Sequence, residues 1–428
     1  MIEFSKRNDA LLGETIYHGV HESGANVYVM PKKGYQKCHA MFATRYGSLE
    51  SEFLKGSEKI KIPDGTAHFL EHKLFEEQDG NVFDKFAALG ASANAFTNFT
   101  ATAYHFSATS NFYESLSTLI RFVQNPYFTK ESIDKEQGII GQEIKMYDDD
   151  PNWRVYFNVL GCLYNDCYVK YDIAGTVESI SEINKDILYD IYSVFYHPSN
   201  MVLYVVGDVE LERVNQVVCD SLKQIAPLDA PIRRLYPAEA EPIVKDYVCQ
   251  RLDVAMPLFT LGFKDTDTAL RGDALLKKEI EMKILLELLF SKCSDIYKTL
   301  YEKGLINDSF DADYECHEEY AFACLTGESK DPRAVRDIVW DMLGRQEITQ
   351  ETYERAKKVV WGNYVRLFNS TESIGYSFVL HRLTGIDYFN FRQVYDTVTL
   401  DDVRARMAAG FDVKKSALSV VEYEKTNG

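Results

Sequence analysis

The sequence predicts an α+β fold of two similar domains, each a mostly antiparallel sheet with helices packed on one face. Three observations lead there. The chain has 428 residues, more than the ~100–200 that a single core usually organises. Strand-like and helix-like periodicities alternate through both halves, the grammar of sheets covered by helices. Between the halves, residues 225–245 hold prolines 227, 231, 237 and 242 with little apolar periodicity, which reads as a linker. The expected layout is a first domain over 1–224, a linker over 225–245 and a second domain over 246–428.

Taken in order, Asn26-Val-Tyr-Val-Met30 and the stretch 37–45 read as strands around Pro31-Lys-Lys-Gly34, a pattern that suggests a hairpin. Helical periodicity follows after Asp64-Gly65, at 83–89, 111–124 and 132–147. Asp150-Pro151 ends the last of these, because proline lacks a backbone donor and restricts its predecessor. A helix over 185–196 and an apolar strand, Met201-Val-Leu-Tyr-Val-Val206, close the first half. The second half restarts with alternation over 247–263. One internal echo suggests a weak duplication, with chance similarity as the alternative: Val205-Val-Gly207-Asp-Val-Glu resembles Leu325-Thr-Gly327-Glu-Ser-Lys, each a strand, an acidic turn and an amphipathic helix.

Composition narrows the function. With 47 Lys+Arg against 65 Asp+Glu, the net charge of −18 argues against nucleic acid and anionic membrane surfaces, both of which recruit cations. No apolar run approaches the ~18 residues of a membrane span, and the mixed, charged start is not a secretory signal. Eight cysteines lie scattered without Cys-x-x-Cys spacing, as expected of free thiols in a reducing cytoplasm.

One pentapeptide carries chemistry. In His68-Phe-Leu-Glu71-His72, residues at i, i+3 and i+4 share a helix face. Two imidazoles one turn apart can bind one Zn²⁺, with the acid beside the open coordination position. With 9 histidines in the chain, chance would produce this pattern in only about 2% of such sequences. Pro63-Asp64-Gly65-Thr66 supplies turn and capping chemistry for a helix starting near Thr66. A third ligand is still required. Glu136 and Glu143, seven apart on the helix over 132–147, are the candidates, since hard carboxylate oxygen suits zinc beside two nitrogens. His105 and His197 read as hydrogen-bonded structural residues, and Asp148-Asp149-Asp150 as a surface cap, with weak Ca²⁺ binding as the alternative.

The inverted motif, followed by Lys135-Glu136-Gln-Gly-Ile-Ile-Gly-Gln-Glu143, resembles the insulinase family of zinc peptidases, whose members include the pitrilysin-like and mitochondrial processing peptidases. Gly90-Ala-Ser-Ala-Asn94-Ala95-Phe96-Thr97 is similar to the family's substrate strand, and Tyr196-His-Pro-Ser-Asn200 also matches. The likeness is firm through the first half and loose in the second, through Leu300-Tyr-Glu-Lys-Gly304-Leu305. It implies one zinc per chain, bound by His68, His72 and Glu143, with Glu71 as general base and Glu136 as the carboxylate that orients the site. Asn94, Ala95, Phe96 and Thr97 would bind substrate by strand addition, which suits peptides and unfolded polypeptide segments.

Two departures from the family bear on partners. Relatives carry an arginine in the second-half element, where Tyr301 stands here, and a tyrosine shortly after, where Ile306-Asn307-Asp308 stands. A chain of this length also supplies half of the family's four-domain clamshell. The expectation is a heterodimer with a related subunit supplying Arg and Tyr, a homodimer being the alternative. The rival function is a non-catalytic binding or assembly subunit on the same fold. The intact base speaks against that rival and the absent Arg/Tyr pair for it.

Overall fold

The computed structural model describes residues 1–78, 80–226, 228 and 231–423; Pro227 of the expected linker lies outside them. Two compact units emerge. The first comprises Met1–Ile144, Asp172–Leu235 and Val365–Tyr388; the second comprises Lys145–Tyr171, Tyr236–Tyr364 and the chain from Phe389 onward. The division therefore does not fall at one point along 225–245, because each unit takes one segment from the other half of the sequence. Both ends of that stretch are anchored. Arg233–Arg234 pairs with the strand Glu52–Lys55, and Arg234 forms a buried ion pair with Glu50 at 3.3 Å. Glu239 accepts the backbone N–H groups of Asn165, Asp166 and Cys167 at 2.7–2.9 Å.

The first unit is built on a seven-stranded sheet. Its order is Ser5–Asp9, Glu14–Val20, Asn26–Pro31, Met201–Gly207, Cys38–Thr44, Thr102–Ala108 and Ser92–Thr97. Every residue of Met201–Gly207 is buried, as a run of Val, Leu and Tyr flanked by sheet on both sides requires. This strand corrects the hairpin expectation. It lies between Asn26–Pro31, to which it is parallel, and Cys38–Thr44, to which it is antiparallel. Local alternation sees the two flanking strands but not the distant apolar strand that takes the central position.

The second unit carries a five-stranded sheet ordered Tyr247–Leu252, Ser416–Tyr423, Leu258–Lys264, Ala321–Glu328 and Asp311–Cys316. Numbered along the chain, this order is 1-5-2-4-3. The last five strands of the first sheet run 1-5-2-4-3 as well, with the same single parallel pair. The duplication thus lies in the topology. The sequence echo is out of phase with it, because Met201–Gly207 is the fifth strand of its repeat and Ala321–Glu328 the fourth.

Helices cover these sheets as the α+β reading expects. In the first unit, Thr66–Leu74 packs on Ser92–Thr97 and Thr102–Ala108, Phe112–Val123 on Thr102–Ala108 and Cys38–Thr44, and Thr371–Leu383 on Met201–Gly207 and Cys38–Thr44. In the second, Pro151–Leu163 packs on Tyr247–Leu252, Leu258–Lys264 and Ser416–Tyr423. Close approach is bought with glycine in both. A Cβ at Gly375 would lie 2.6 Å from the ring of His39, and one at Gly262 would lie 2.9 Å from Leu163 and Val159. Asp150 caps Pro151–Leu163 by accepting from Asn152 and Trp153. No helix among the described residues is long and apolar enough to cross a membrane.

Candidate metal centre

The motif helix spans Thr66–Leu74 and is almost wholly buried. It starts where the sequence places it, but by backbone rather than side-chain capping. Gly65 sits at φ +88°, and a Cβ there would press into the carbonyl of Ala174. Only glycine adopts that conformation without strain. The third carboxylate comes from the helix Lys130–Asp149, where Ile133, Glu136, Ile140 and Ile144 form the buried face.

His68, His72 and Glu143 bring one ligand atom each within 4.8 Å of one another. Glu143 Oε1 lies 3.8 Å from His68 Nε2, and its Oε2 lies 3.6 Å from His72 Nε2. Ligands about 2.0–2.2 Å from a tetrahedral zinc sit about 3.4 Å apart, so two imidazole nitrogens with a carboxylate oxygen within 3.6–3.8 Å of each fit the ion. His72 Nδ1 is held by Glu136 Oε1 at 3.1 Å, which leaves Nε2 turned to the metal side.

Electrostatics agree. Burial, reinforced by neighbouring His72, takes His68 down to about 4, so at pH 7 it is the neutral imidazole a metal needs. Burial works against charge on His72, yet Glu136, Glu71 and Glu143 together raise its proton affinity. Burial also tends to raise Glu136, but the bond to His72 and the charges of His72 and Lys73 outweigh it and hold this carboxyl low.

Glu71 is buried and reaches the strand Ser92–Thr97: Thr97 Oγ1 donates to Glu71 Oε2 at 2.8 Å. Behind it, Thr102 Oγ1 lies 3.3 Å from Thr97 Oγ1 and donates to the Tyr46 carbonyl at 2.8 Å. Burial raises Glu71 above the usual carboxylate range, with the Thr97 bond pulling the other way. Ser92–Thr97 pairs on one side with Thr102–Ala108 and is the last strand of its sheet. Alternation divides the four predicted substrate residues. Thr97 turns to Glu71, Phe96 stacks on Tyr376 with centroids 5.1 Å apart, and the Asn94 side chain accepts from the N–H of Ala95.

Sequence reasoning missed two features. Thr97 is bonded to the base, and Lys73, next to a candidate ligand, is wholly buried. The first has a readable signal, a hydroxyl at the end of the strand facing the motif; the second shows only as a charge inside an apolar helix face. His105 and His197 are hydrogen-bonded as expected, His105 Nε2 to the Tyr376 hydroxyl at 2.8 Å and His197 Nδ1 to the N–H of Ser199.

Comparison with known proteins fits this geometry. Residues 58–177, which contain all three candidate ligands, match the insulinase family (peptidase family M16), and residues 182–360 match the peptidase M16 inactive domain. The chain is 44% identical to YmfH of Bacillus subtilis, named an uncharacterized zinc protease, across 92% of this chain and 93% of that one. The crystal structure of an M16-like peptidase from Alicyclobacillus acidocaldarius covers 99% of both chains with a TM-score of 0.91 at 32% identity. A chain of Complex III2 from Candida albicans shares the fold alone, with a TM-score of 0.73 at 13% identity over 95% of both chains. The chain therefore belongs to the insulinase family of peptidases, family M16.

Proposed function

We propose that this chain is a zinc-dependent endopeptidase that cleaves peptides or unfolded polypeptide segments as half of a dimeric enclosure. The observation that carries the reading is Glu71, a buried carboxylate beside the His68, His72 and Glu143 donors and held by one oxygen through Thr97. An assembly subunit has no chemical need for a base in that place.

His68, His72 and Glu143 would hold the zinc. When bound there, zinc supplies a Lewis acid that lowers the pKa of water to about 7. Glu71 Oε1, the oxygen not engaged by Thr97, accepts the proton as water attacks the peptide carbonyl and passes it to the departing amine. Glu136 orients His72. Substrate pairs with the free edge of Ser92–Thr97 through backbone hydrogen bonds, so an extended segment is required and side chains matter little.

Tyr301, half exposed on the helix Asp295–Glu302, stands where the family resemblance implies an arginine. This favours a heterodimer whose other subunit supplies Arg and Tyr, with weak activity alone and a large gain on mixing. Eight free cysteines support a cytoplasmic setting.

Metal analysis combined with hydrolysis of a quenched fluorescent unfolded peptide tests the reading. We expect one zinc per chain in both wild type and Glu71→Gln, with turnover in the wild type only. A wild type without zinc, or a Glu71→Gln variant as active as wild type, would sink it.

A further inference from the structure

Lys73 follows His72 directly on the motif helix, and its side chain has no exposed surface. Lysine is almost never fully buried unless paired, because removing an ammonium from water costs several kcal/mol. An apolar side chain of similar length would fill the space without that cost. The surroundings of the ammonium show what offsets it. Nζ is paired with Glu76, just past the end of the helix, and donates to the Ser132 carbonyl at 3.4 Å, in the first turn of the helix Lys130–Asp149. It also lies 3.9 Å from Glu136 Oε2.

The two oxygens of Glu136 are thereby divided. Oε1 takes the bond from His72 Nδ1 at 3.1 Å, and Oε2 faces the Lys73 ammonium. Rotating the carboxylate would give up both arrangements at once. The His72 ring is fixed with it, and the ring plane decides whether Nε2 stays 3.6 Å from Glu143 Oε2.

We propose that Lys73 is a positioning residue of the metal centre, clamping the end of the motif helix to the start of the glutamate helix and fixing Glu136, and through it His72, for the metal. The inference rests on the reading of His68, His72 and Glu143 as a zinc site. Apolar residues in place of a buried ion pair often leave stability unchanged, so fold stability alone does not account for a lysine at this position.

The test is zinc binding by the full chain, with zinc alone as the probe in competition with a chromophoric chelator. It needs no partner and no substrate. Lys73→Met is expected to weaken zinc binding by about 10- to 100-fold, the range for losing an outer partner of a ligand, while the metal-free form melts cooperatively. Should Lys73→Met fail to fold, the double variant Lys73→Met/Glu76→Met, which removes the carboxylate that the single change would leave unpaired, carries the same expectation. Zinc bound as tightly as by wild type overturns the inference while leaving the zinc site standing, and unfolding of both variants overturns it by assigning Lys73 to the fold. Absence of zinc from the wild type overturns the metal site and the inference together.

Discussion

Thr97→Val removes one hydroxyl and keeps the β-branched shape that suits a strand. In the wild type that hydroxyl donates to Glu71 Oε2 at 2.8 Å. A hydrogen bond to a charged group contributes about 1.5–3 kcal/mol, and 1.36 kcal/mol corresponds to tenfold in rate. Full loss of the bond therefore predicts a fall in kcat of about 10- to 100-fold. KM should stay near its wild-type value, because the backbone edge proposed to pair with substrate is unchanged. Losing the interaction that opposes burial also raises the proton affinity of Glu71 further, so the acidic limb of kcat/KM moves to higher pH. The assay is peptide hydrolysis by zinc-loaded wild type, Thr97→Val and Thr97→Ser, the last restoring most of the rate. Weak basal turnover suffices, since the readout is a ratio. A Thr97→Val enzyme within twofold of wild type at equal zinc content would refute the idea that the strand holds the base.

Two further outcomes concern the scaffold. Burial takes His39 down to about 3, below its unfolded value of about 6.5, so between those values the unfolded chain binds more protons and stability falls as pH falls. The loss attributable to this ring is about 2 kcal/mol from pH 7 to pH 5; urea unfolding should show that slope diminished in His39→Leu, and an unchanged slope would clear His39 of the role. Gly47→Ala would push a Cβ into the backbone at Asn98 and Phe99, which cannot swing aside as a side chain does, so a loss of about 1–3 kcal/mol is expected in the same experiment; a midpoint unmoved by the change would show that the loop yields.

Much of this was legible because it is local. The helix from Thr66 follows from Gly65 and the periodicity after it, and the strand Met201–Gly207 from its apolar run with three valines. The ligand pair was legible for the same reason, since i and i+4 on a helix fix where His68 and His72 point. Glu143 needed more, because its helix is brought to the motif by tertiary packing; the family resemblance selected it from two glutamates, and in the structure its carboxylate lies beside both imidazoles. What could not be read was pairing across distance. Nothing near Asn26 or Cys38 announces that a strand more than 150 residues away will lie between them. The exchange of Pro151–Leu163 and Thr371–Leu383 between units is equally silent, since nothing in either helix's own residues names the sheet it will cover. The contacts of Lys73 and Thr97 were not legible for another reason: they depend on side-chain reach to Glu136 and Glu71, which spacing along the chain does not encode.

The repeated topology sharpens what the first unit does. In both units a helix follows the second strand of the 1-5-2-4-3 sheet. In the first unit its buried positions include His68, Glu71 and Lys73. In the second, the corresponding helix Gly272–Phe290 fills its buried face with Leu275, Leu276, Ile280, Ile284 and Leu285. Its wholly buried lysine, Lys278, is paired with Asp265 at 3.0 Å, and its buried Glu281 with Arg406 at 3.0 Å, so each buried charge on this helix meets a counter-charge and the helix carries no imidazole. A duplicated sheet needs a covered apolar face, and the second unit provides one with its buried charges balanced among themselves. The surplus of carboxylates around His68 and His72 is not required by the sheet. It costs stability when buried, and it is explained when a divalent cation completes the charge balance. The same contrast bears on the likeness to a Complex III chain: a shared fold accounts for the strands both chains possess and leaves the side chains of the motif helix to decide the chemistry.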